Sequence, residues 1–246
     1  MFQYKPKQNI LNKKIILITG SGDGIGREAA ITFARFGASI ILVGKTKKKL
    51  DAVSLEIKKL TTKESYVYTL DLLTATNEKY KNLAKNISKT YKYLDGVIHN
   101  AGILGTISSI KDQPINVWNK VIQVNLNGVF ILTKVLLPLL MKAQNPSLVF
   151  TSSTAGKKCR AGWGAYAVSK FATEGLMKIL SKEYKKTNLR INCINPGAVY
   201  TKMRKKAFPL ENSSILKKPI DIMPIYIYLM SNDSLKKTGI SFDAQK

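Results

Sequence analysis

The sequence predicts an α/β fold, a single doubly wound domain in which helices cover both faces of a parallel sheet. Three observations lead to this prediction. Short apolar runs alternate with longer segments of helical periodicity along the 246 residues, and such alternation is typical of βαβ units. The composition is that of an ordinary globular chain, 45% hydrophobic and 22% charged. No repeat, low-complexity linker or composition break divides the chain, so one domain over 1–246 is expected.

The elements follow from the period of the apolar residues. The first apolar run, 15–19, is predicted to be a buried strand, and apolar residues on one face predict a helix over 25–36. Further strands are predicted at 39–43, 66–70, 96–99, 148–151 and 191–194, and further helices at 47–60, 77–91, 117–141 and 165–184. The least regular stretch, 202–218, is predicted to be a mobile loop with short helical pieces that meets the substrate.

The charge is the unusual bulk property. The net charge is +25, and it comes almost entirely from lysine, since the only arginines are Arg27, Arg35, Arg160, Arg190 and Arg204. A basic chain can bind nucleic acid, but base readout favours arginine, and the lysines form no long block. A solvated lysine surface is therefore expected, with nucleic-acid binding as the alternative that this charge keeps open.

Cysteine content and hydropathy point to the compartment. Cys159 and Cys193 are the only cysteines, which indicates neither a disulfide framework nor a metal site and fits a reducing compartment. The first residues carry no signal-peptide pattern. The apolar runs 135–141 and 222–230 are too short to span a membrane. A cytoplasmic protein without a membrane partner or a metal is expected.

A glycine-rich turn follows the first predicted strand and opens the first predicted helix. The turn reads Thr-Gly-Ser-Gly-Asp-Gly-Ile-Gly over residues 19–26. Glycines allow close approach of the backbone to a pyrophosphate, and the free N–H groups of a helix N-terminus attract its charge. The strand–turn–helix context therefore predicts a dinucleotide site.

The end of the second predicted strand indicates which dinucleotide is bound. NAD sites usually carry an acid there, which binds the ribose 2′-hydroxyl. This chain has Lys45 at that place and no acid before Asp51. A lysine attracts the 2′-phosphate of NADP, so NADP is predicted over NAD.

Tyr166 and Lys170 are the candidate catalytic pair. They lie four residues apart, on one face of a predicted helix. A tyrosine with a pKa near ~10 is a poor acid or base at neutral pH, and a nearby ammonium group is expected to lower that pKa. Ser153, thirteen residues before Tyr166, follows another predicted strand.

Further motifs complete a known pattern: His-Asn-Ala-Gly at 99–102, Asn125 in Val-Asn-Leu-Asn-Gly, and Pro196-Gly197 followed by Thr201. With these in order, residues from about 11 to 243 resemble the short-chain dehydrogenase/reductase family, and the C-terminal segment resembles a bacterial subgroup of it. The resemblance implies a Rossmann fold and a homodimer or homotetramer. His99 replaces an asparagine of the family pattern and is expected to be structural, and Asp23 stands where many NADP-binding members have a basic residue.

The resemblance also implies roles for individual residues. Tyr166 is the acid/base, Ser153 orients the substrate carbonyl, Lys170 holds the nicotinamide ribose and tunes Tyr166, and Asn125 holds a water of the proton relay. Asp71 binds the adenine ring. The whole implied cofactor site comprises Gly20, Ser21, Asp23, Gly24, Ile25, Gly26, Lys45, Asp71, Asn100, Ala101, Gly102, Tyr166, Lys170, Pro196, Gly197 and Thr201.

The predicted function is hydride transfer between a nicotinamide and a small carbonyl or alcohol substrate. Reduction of 3-oxoacyl groups on acyl carrier protein is the alternative within the enzymes, because Lys202, Arg204, Lys205 and Lys206 could meet that acidic carrier. A non-catalytic cofactor-binding protein is the third interpretation, although Asn125, Ser153, Tyr166 and Lys170 are all present. A hydrolase is excluded by the missing Gly-x-Ser-x-Gly elbow.

Overall fold

The computed structural model describes residues 2–62 and 65–245. Within them, seven parallel strands form one sheet in the order β3-β2-β1-β4-β5-β6-β7. The strands are β1 Ile15–Thr19, β2 Ser39–Gly44, β3 Ser65–Thr69, β4 Gly96–His99, β5 Ser147–Thr151, β6 Arg190–Asn195 and β7 Ser241–Asp243. The doubly wound parallel sheet that the sequence predicts is therefore confirmed.

Eight α-helices connect these strands and cover the two faces of the sheet in the described part of the chain. They are α1 Gly24–Arg35, α2 Lys47–Leu60, α3 Asn77–Thr90, α4 Ile115–Ile122, α5 Gly128–Leu140, α6 Gly164–Glu183, α7 Lys202–Ala207 and α8 Met223–Met230. α1, α2 and α8 bury Phe33, Leu50 and Tyr226 on one face. α3, α5 and α6 contribute Tyr80, Leu136 and Met177 to the core on the other.

The order of the strands reverses between β1 and β4, which are neighbours in the sheet. Connections from β1 to β3 run toward one edge of the sheet, and those from β4 onward run toward the other. Helices leaving the carboxyl ends of β1 and β4 therefore diverge and open a crevice, which is where open α/β sheets bind their ligands.

The helix predicted over 117–141 is wrong in one respect, because the structure divides it. α4 and α5 are joined by a wider π-helical turn at Gln123–Asn127 that contains Asn125. A π turn inserts an extra residue and redirects the following side chains, and it is common at functional sites. Apolar residues occur on both sides of this turn, so the sequence alone did not show the insertion.

The whole helical stretch Ile115–Leu140 is long and apolar enough to cross a membrane by length and composition. Core helices of globular proteins also pass this test, and 44% of its most apolar window is buried within the protein. Leu132 and Leu136 lie at the centre of the core. Packing in the core therefore accounts for part of the apolar composition of this stretch.

The remaining departures lie near the C-terminus and at β3. α8 and β7 were not predicted, because an uninterrupted apolar run has no helical period and a three-residue edge strand has little pattern. β3 covers Ser65–Thr69, one residue earlier than predicted. The stretch 202–218 contains α7 and a short 3₁₀ turn at Ser213–Ile215.

Candidate active site

The glycine-rich turn has a conformation that most side chains would prevent. Gly20 and Gly24 have φ angles of +67° and +54°, in the left-handed region that favours glycine. A Cβ on Gly26 would lie 2.4 Å from the carbonyl oxygen of Gly20. The Asp23 carboxylate begins α1 by accepting a 2.9 Å hydrogen bond from the N–H of Gly24. The turn thus leaves room and backbone donors for a pyrophosphate, and its residues fit a dinucleotide.

The turn forms one end of a cleft of about 440 Å³ that crosses the carboxyl ends of the strands and reaches α7. Most of the residues that the sequence analysis assigned to the site meet there. They are Gly20, Asp23, Gly24, Ile25, Lys45, Asp71, Asn100, Ala101, Gly102, Ser153, Tyr166, Lys170, Pro196, Gly197 and Thr201.

Three of the assigned residues lie behind the cleft wall instead. Ser21 is fully buried, and its hydroxyl donates to the carbonyl oxygen of Val43. Gly26 lies in the first turn of α1 beneath Gly20. Asn125 is buried one layer deeper. These residues shape the site from below, and sequence motifs do not distinguish such support from direct contact.

Asn125 ties the loop after β4 to α6. Its side-chain oxygen accepts from the N–H of Ile103 at 2.8 Å, and its amide donates to the Ile103 carbonyl at 2.9 Å. The amide also donates to the hydroxyl of Ser169 at 3.0 Å. Both side-chain hydrogens of Asn125 are therefore engaged by protein atoms, and the residue fixes Ile103 beside Gly102.

The turn formed by residues 100–102 after β4 is also held by Thr19, the last residue of β1. The sequence did not assign Thr19 to the site. The Thr19 hydroxyl accepts hydrogen bonds from the N–H groups of Asn100 and Ala101, both at 3.0 Å. Asn100 returns a side-chain hydrogen bond to the Thr19 carbonyl at 3.3 Å. Thr19 directly precedes Gly20, the first glycine of the glycine-rich turn. This position was the feature of the sequence from which its role could have been predicted.

Lysines line the end of the cleft near β2. Lys45 and Lys49 both border it, and only Lys45 was identified from the sequence. Lys49 lies in the first turn of α2, whereas Lys45 precedes the N-cap of that helix. The Asp23 carboxylate is paired with Lys49 at 2.8 Å and with Lys202 at 3.3 Å. The hydrogen bond from Lys49 lowers the pKa of Asp23, so its charge is present and compensated.

Ser153 and Tyr166 meet deeper in the cleft. Ser153 begins a short 3₁₀ turn after β5, where its hydroxyl accepts from the N–H of Ala155 at 3.2 Å. Tyr166 lies in the first turn of α6 and is 8% exposed. Burial raises the pKa of Tyr166, and a hydrogen bond with Ser153 opposes that rise. The two hydroxyls can therefore bind one oxygen atom of a substrate together.

Lys170 lies one helical turn below Tyr166. Its Nζ is 5.7 Å from the centre of the Tyr166 ring and donates a 2.7 Å hydrogen bond to the Thr151 carbonyl. Burial lowers the pKa of Lys170 to about 8, although nearby Cys193 and Glu174 favour its charged form. The spacing of Tyr166 and Lys170 predicted a lowered pKa for Tyr166. That prediction is wrong, because burial raises the pKa of Tyr166 and only the hydrogen bond with Ser153 opposes this rise.

His99 faces away from the cleft, into the core. Its Nε2 lies 2.9 Å from the Thr133 hydroxyl, which itself donates to the Val129 carbonyl. The ring stacks on Phe150 at 5.2 Å between centres. Complete burial lowers the pKa of His99 to about 3, so the imidazole is neutral. These contacts agree with the structural role that was expected for it.

Other kinds of chemistry find little support in the described residues. No group of three or more His, Cys, Asp and Glu side chains within 2–62 and 65–245 is arranged to hold a metal ion. Cys159 is exposed and Cys193 is buried, and neither forms a disulfide. The cleft, with a dinucleotide cradle at one end and a Ser–Tyr–Lys group beside it, defines the protein as a nucleotide-dependent α/β enzyme by its architecture.

Comparison with known proteins agrees with this class and gives the family. The pattern of the family described as short chain dehydrogenase matches residues 14–212. The chain is 54% identical to the oxidoreductase YciK of Escherichia coli, over 98% of this chain and 96% of that protein. The chain belongs to the short-chain dehydrogenase family and is an oxidoreductase.

Two further similarities bear on the cofactor and on the substrate. A short-chain dehydrogenase of Escherichia coli in complex with NADPH superposes with a TM-score of 0.96 at 54% identity, covering 98% of this chain and all of that one. The 3-oxoacyl-acyl-carrier-protein reductase FabG of Thermotoga maritima is 31% identical, over 93% of this chain and 95% of that protein.

Proposed function

We propose that this protein is an NADP-dependent oxidoreductase that interconverts a carbonyl compound and its alcohol, with Tyr166 as the acid/base. The observation that carries the proposal is the meeting of Ser153, Tyr166 and Lys170 in the same cleft as the glycine-rich turn. The NADPH complex of the relative from Escherichia coli supports the choice of cofactor.

The chain would hold the dinucleotide along the whole cleft. The turn 20–26 and the start of α1 bind the pyrophosphate, and Asp71 binds the adenine ring. Lys45, with Lys49 beside it, meets the 2′-phosphate. Lys170 and the segment from Pro196 to Thr201 hold the nicotinamide end. Bound NADPH supplies the hydride.

The protein residues bind and protonate the substrate. In reduction, the hydroxyls of Ser153 and Tyr166 hold the carbonyl oxygen, and Tyr166 donates its proton to that oxygen while the carbonyl carbon gains the hydride. A ketone or aldehyde thus becomes an alcohol, and the nicotinamide is oxidised. Lys170 and a water held at Asn125 return a proton to Tyr166. General acid catalysis of this kind contributes about 10²–10⁴-fold to the rate.

The direct test is a panel of uncharged and charged ketones, aldehydes and alcohols given to the purified protein with NADPH or NADH, with nicotinamide absorbance as the readout. We expect NADPH oxidation with at least some carbonyl compounds, at a rate proportional to enzyme concentration. Turnover with NADH alone would overturn the choice of cofactor. No turnover with any carbonyl or alcohol would overturn the proposed reaction.

Reduction of 3-oxoacyl groups on acyl carrier protein is the second candidate, favoured by the similarity to the FabG protein of Thermotoga maritima. Lys205 and Lys206 are exposed on α7, where an acidic carrier could bind. Two other cations of this segment are already paired, Lys202 with Asp23 and Arg204 with Glu211. Turnover of a carrier-bound 3-oxoacyl group well above that of the free thioester would favour this candidate.

We also propose a cytoplasmic homo-oligomer, a dimer or a tetramer. Apolar side chains remain exposed on α5 and α6, including Phe130, Val168, Phe171 and Ile179. A self-complementary contact between copies would bury them across a twofold axis. This surface also explains why helices that already pack on the sheet carry further apolar residues.

A further inference from the structure

The part of the cleft around the Tyr166 hydroxyl has an apolar wall. Leu104, Ala155, Tyr166 and Ala167 form a small buried cluster of their own, separate from the two main cores. Trp163, Met203 and Ala207 pack against this cluster, and all three also line the cleft. A substrate whose carbonyl oxygen reaches Ser153 and Tyr166 must place the rest of its body against these side chains.

Three aromatic rings follow one another along this wall. The Trp163 ring lies 5.8 Å from the Tyr166 ring and 5.6 Å from the Phe208 ring, measured between centres. Trp163 and Phe208 are half-buried and border the cleft. Aromatic side chains provide large contact areas to other rings and to compact hydrocarbon groups. The wall therefore favours a ring or a branched hydrocarbon over a flexible polar chain.

Two cations of α7 beside this wall are already paired with acids. The Arg204 guanidinium lies 3.9 Å over the centre of the Phe208 ring. Its Nε donates to a Glu211 carboxylate oxygen at 2.6 Å, and its Nη2 donates to the second oxygen. Lys202 is paired with Asp23 at 3.3 Å. A substrate carboxylate or phosphate that binds Arg204 or Lys202 would have to displace Glu211 or Asp23, and would leave that acid without its partner.

From this wall and these pairs we infer that the substrate is an uncharged carbonyl compound with a cyclic or aromatic body, which stacks on Trp163 and Phe208. The inference rests on the proposed function, because it places the carbonyl oxygen on Ser153 and Tyr166. It adds that the bidentate pair between Arg204 and Glu211 rejects acidic substrates. Arg204 and Glu211 are then specificity-determining residues that take no part in the proton transfer.

The test compares two ketones of the same shape that differ in charge, para-acetylbenzoate and its methyl ester. We expect kcat/KM for the ester to exceed that for the carboxylate by about tenfold or more, since the substrate carboxylate would leave water for an apolar wall without a free cation of α7 to pair with. Acetone, which has no ring, should also be a poorer substrate than acetophenone. Equal kcat/KM values for the ester and the carboxylate would overturn the inference.

Variants of Arg204 and Glu211 test whether their ion pair causes the preference for the ester. Glu211→Gln frees the Arg204 guanidinium, and the preference for the ester should shrink by about tenfold. Arg204→Met removes the cation and should leave the preference intact. Glu183→Gln, an exposed acid at the end of α6, is the matched control. An unchanged preference in folded Glu211→Gln, or a lost preference in Arg204→Met, would contradict the role of the pair.

A binding experiment with the methyl ester can distinguish a failure of this inference from a failure of the proposed function. The chain has two tryptophans, Trp118 and Trp163, and Trp163 borders the cleft. With NADP⁺ present, the methyl ester should quench tryptophan fluorescence, and quenching should be lost in Trp163→Phe but kept in Trp118→Phe. Selective quenching by the ester without NADPH oxidation would refute the reaction and support the pocket. Turnover with equal quenching by the carboxylate would support the reaction and refute the pocket.

Discussion

The Nζ of Lys170 donates a 2.7 Å hydrogen bond to the carbonyl oxygen of Thr151, the last residue of β5. This bond joins α6 to the strand end that is followed by Ser153. The same ammonium group lies 5.7 Å from the Tyr166 ring. The position of Lys170 is therefore set from both sides, and the serine and the tyrosine are fixed relative to one another through it.

The sharpest prediction concerns the Tyr166 hydroxyl. Tyr166→Phe removes one oxygen and keeps the ring that packs on Trp163. Turnover should fall by about 10²–10⁴-fold, because the hydroxyl that donates the proton is lost. The NADPH dissociation constant should change little. Tyr93→Phe, at a partly exposed position before β4, is the matched control. If Tyr166→Phe keeps more than about a tenth of the rate, the general-acid role is wrong.

Lys170→Met should behave differently from Tyr166→Phe. It removes a predicted cofactor contact, the hydrogen bond to Thr151 and the charge beside Tyr166. NADPH affinity and turnover should therefore fall together, each by about tenfold or more. Titration calorimetry and steady-state rates measure the two effects. A variant that loses turnover and binds NADPH normally would show that Lys170 acts on the proton alone.

Lys45 should determine the preference for NADP. The unchanged protein should bind NADPH at least about tenfold tighter than NADH, since the 2′-phosphate meets Lys45 and Asp23 is already paired with Lys49. Lys45→Met should weaken NADPH binding by about tenfold and leave NADH binding unchanged. Lys48→Met is the control, because Lys48 is exposed outside the cleft. Equal affinities for the two cofactors in the unchanged protein would contradict the assignment.

His99 should make the protein sensitive to acid. Burial lowers the pKa of His99 to about 3 in the folded state, against ~6.5 in an unfolded chain. Between these pH values His99 binds a proton in the unfolded state but not in the folded state. The stability of the folded protein therefore falls as the pH falls from about 6.5 toward 3. From pH 7 to 5 this loss amounts to about 2 kcal/mol.

The experiment is urea unfolding at both pH values. His99→Gln should lose less stability on acidification than the unchanged protein, even if it is less stable at pH 7. Because His99 is the only histidine, its imidazole resonance can also be followed by NMR without ambiguity. An imidazole that titrates near pH 6.5 in the folded protein would refute this prediction.

The exposed apolar side chains of α5 and α6 should mediate assembly. Sedimentation at micromolar concentration should show at least a dimer. Phe171→Glu, at a side chain 40% exposed, should shift the protein toward the monomer, because a twofold contact places the new charge in the interface twice. Leu55→Glu, at a side chain 55% exposed on α2, should leave the assembly unchanged. A monomeric unchanged protein would refute this surface as an interface.

The sequence by itself determined the class of fold and most of the residues in the cleft. Period and turn chemistry are local properties, so β1, α2 and β4 could be predicted from short windows. Gly20, Ser153, Tyr166 and Lys170 could be identified because they belong to motifs that occur in a known order along the chain, and the first three lie after strand ends or in the first turn of a helix. In a parallel sheet, such positions gather at one edge whatever the details of packing.

Only the tertiary structure decided which residues line the cleft and which support it. Ser21 and Asn125 belong to recognisable motifs, yet both are buried, because their direction depends on neighbours distant in the chain. The pairing of Arg204 with Glu211, and of Asp23 with Lys202, depends on how α7 lies over the sheet. The pKa of Tyr166 was misjudged for the same reason, since spacing reveals a neighbouring charge but burial is a property of the whole fold.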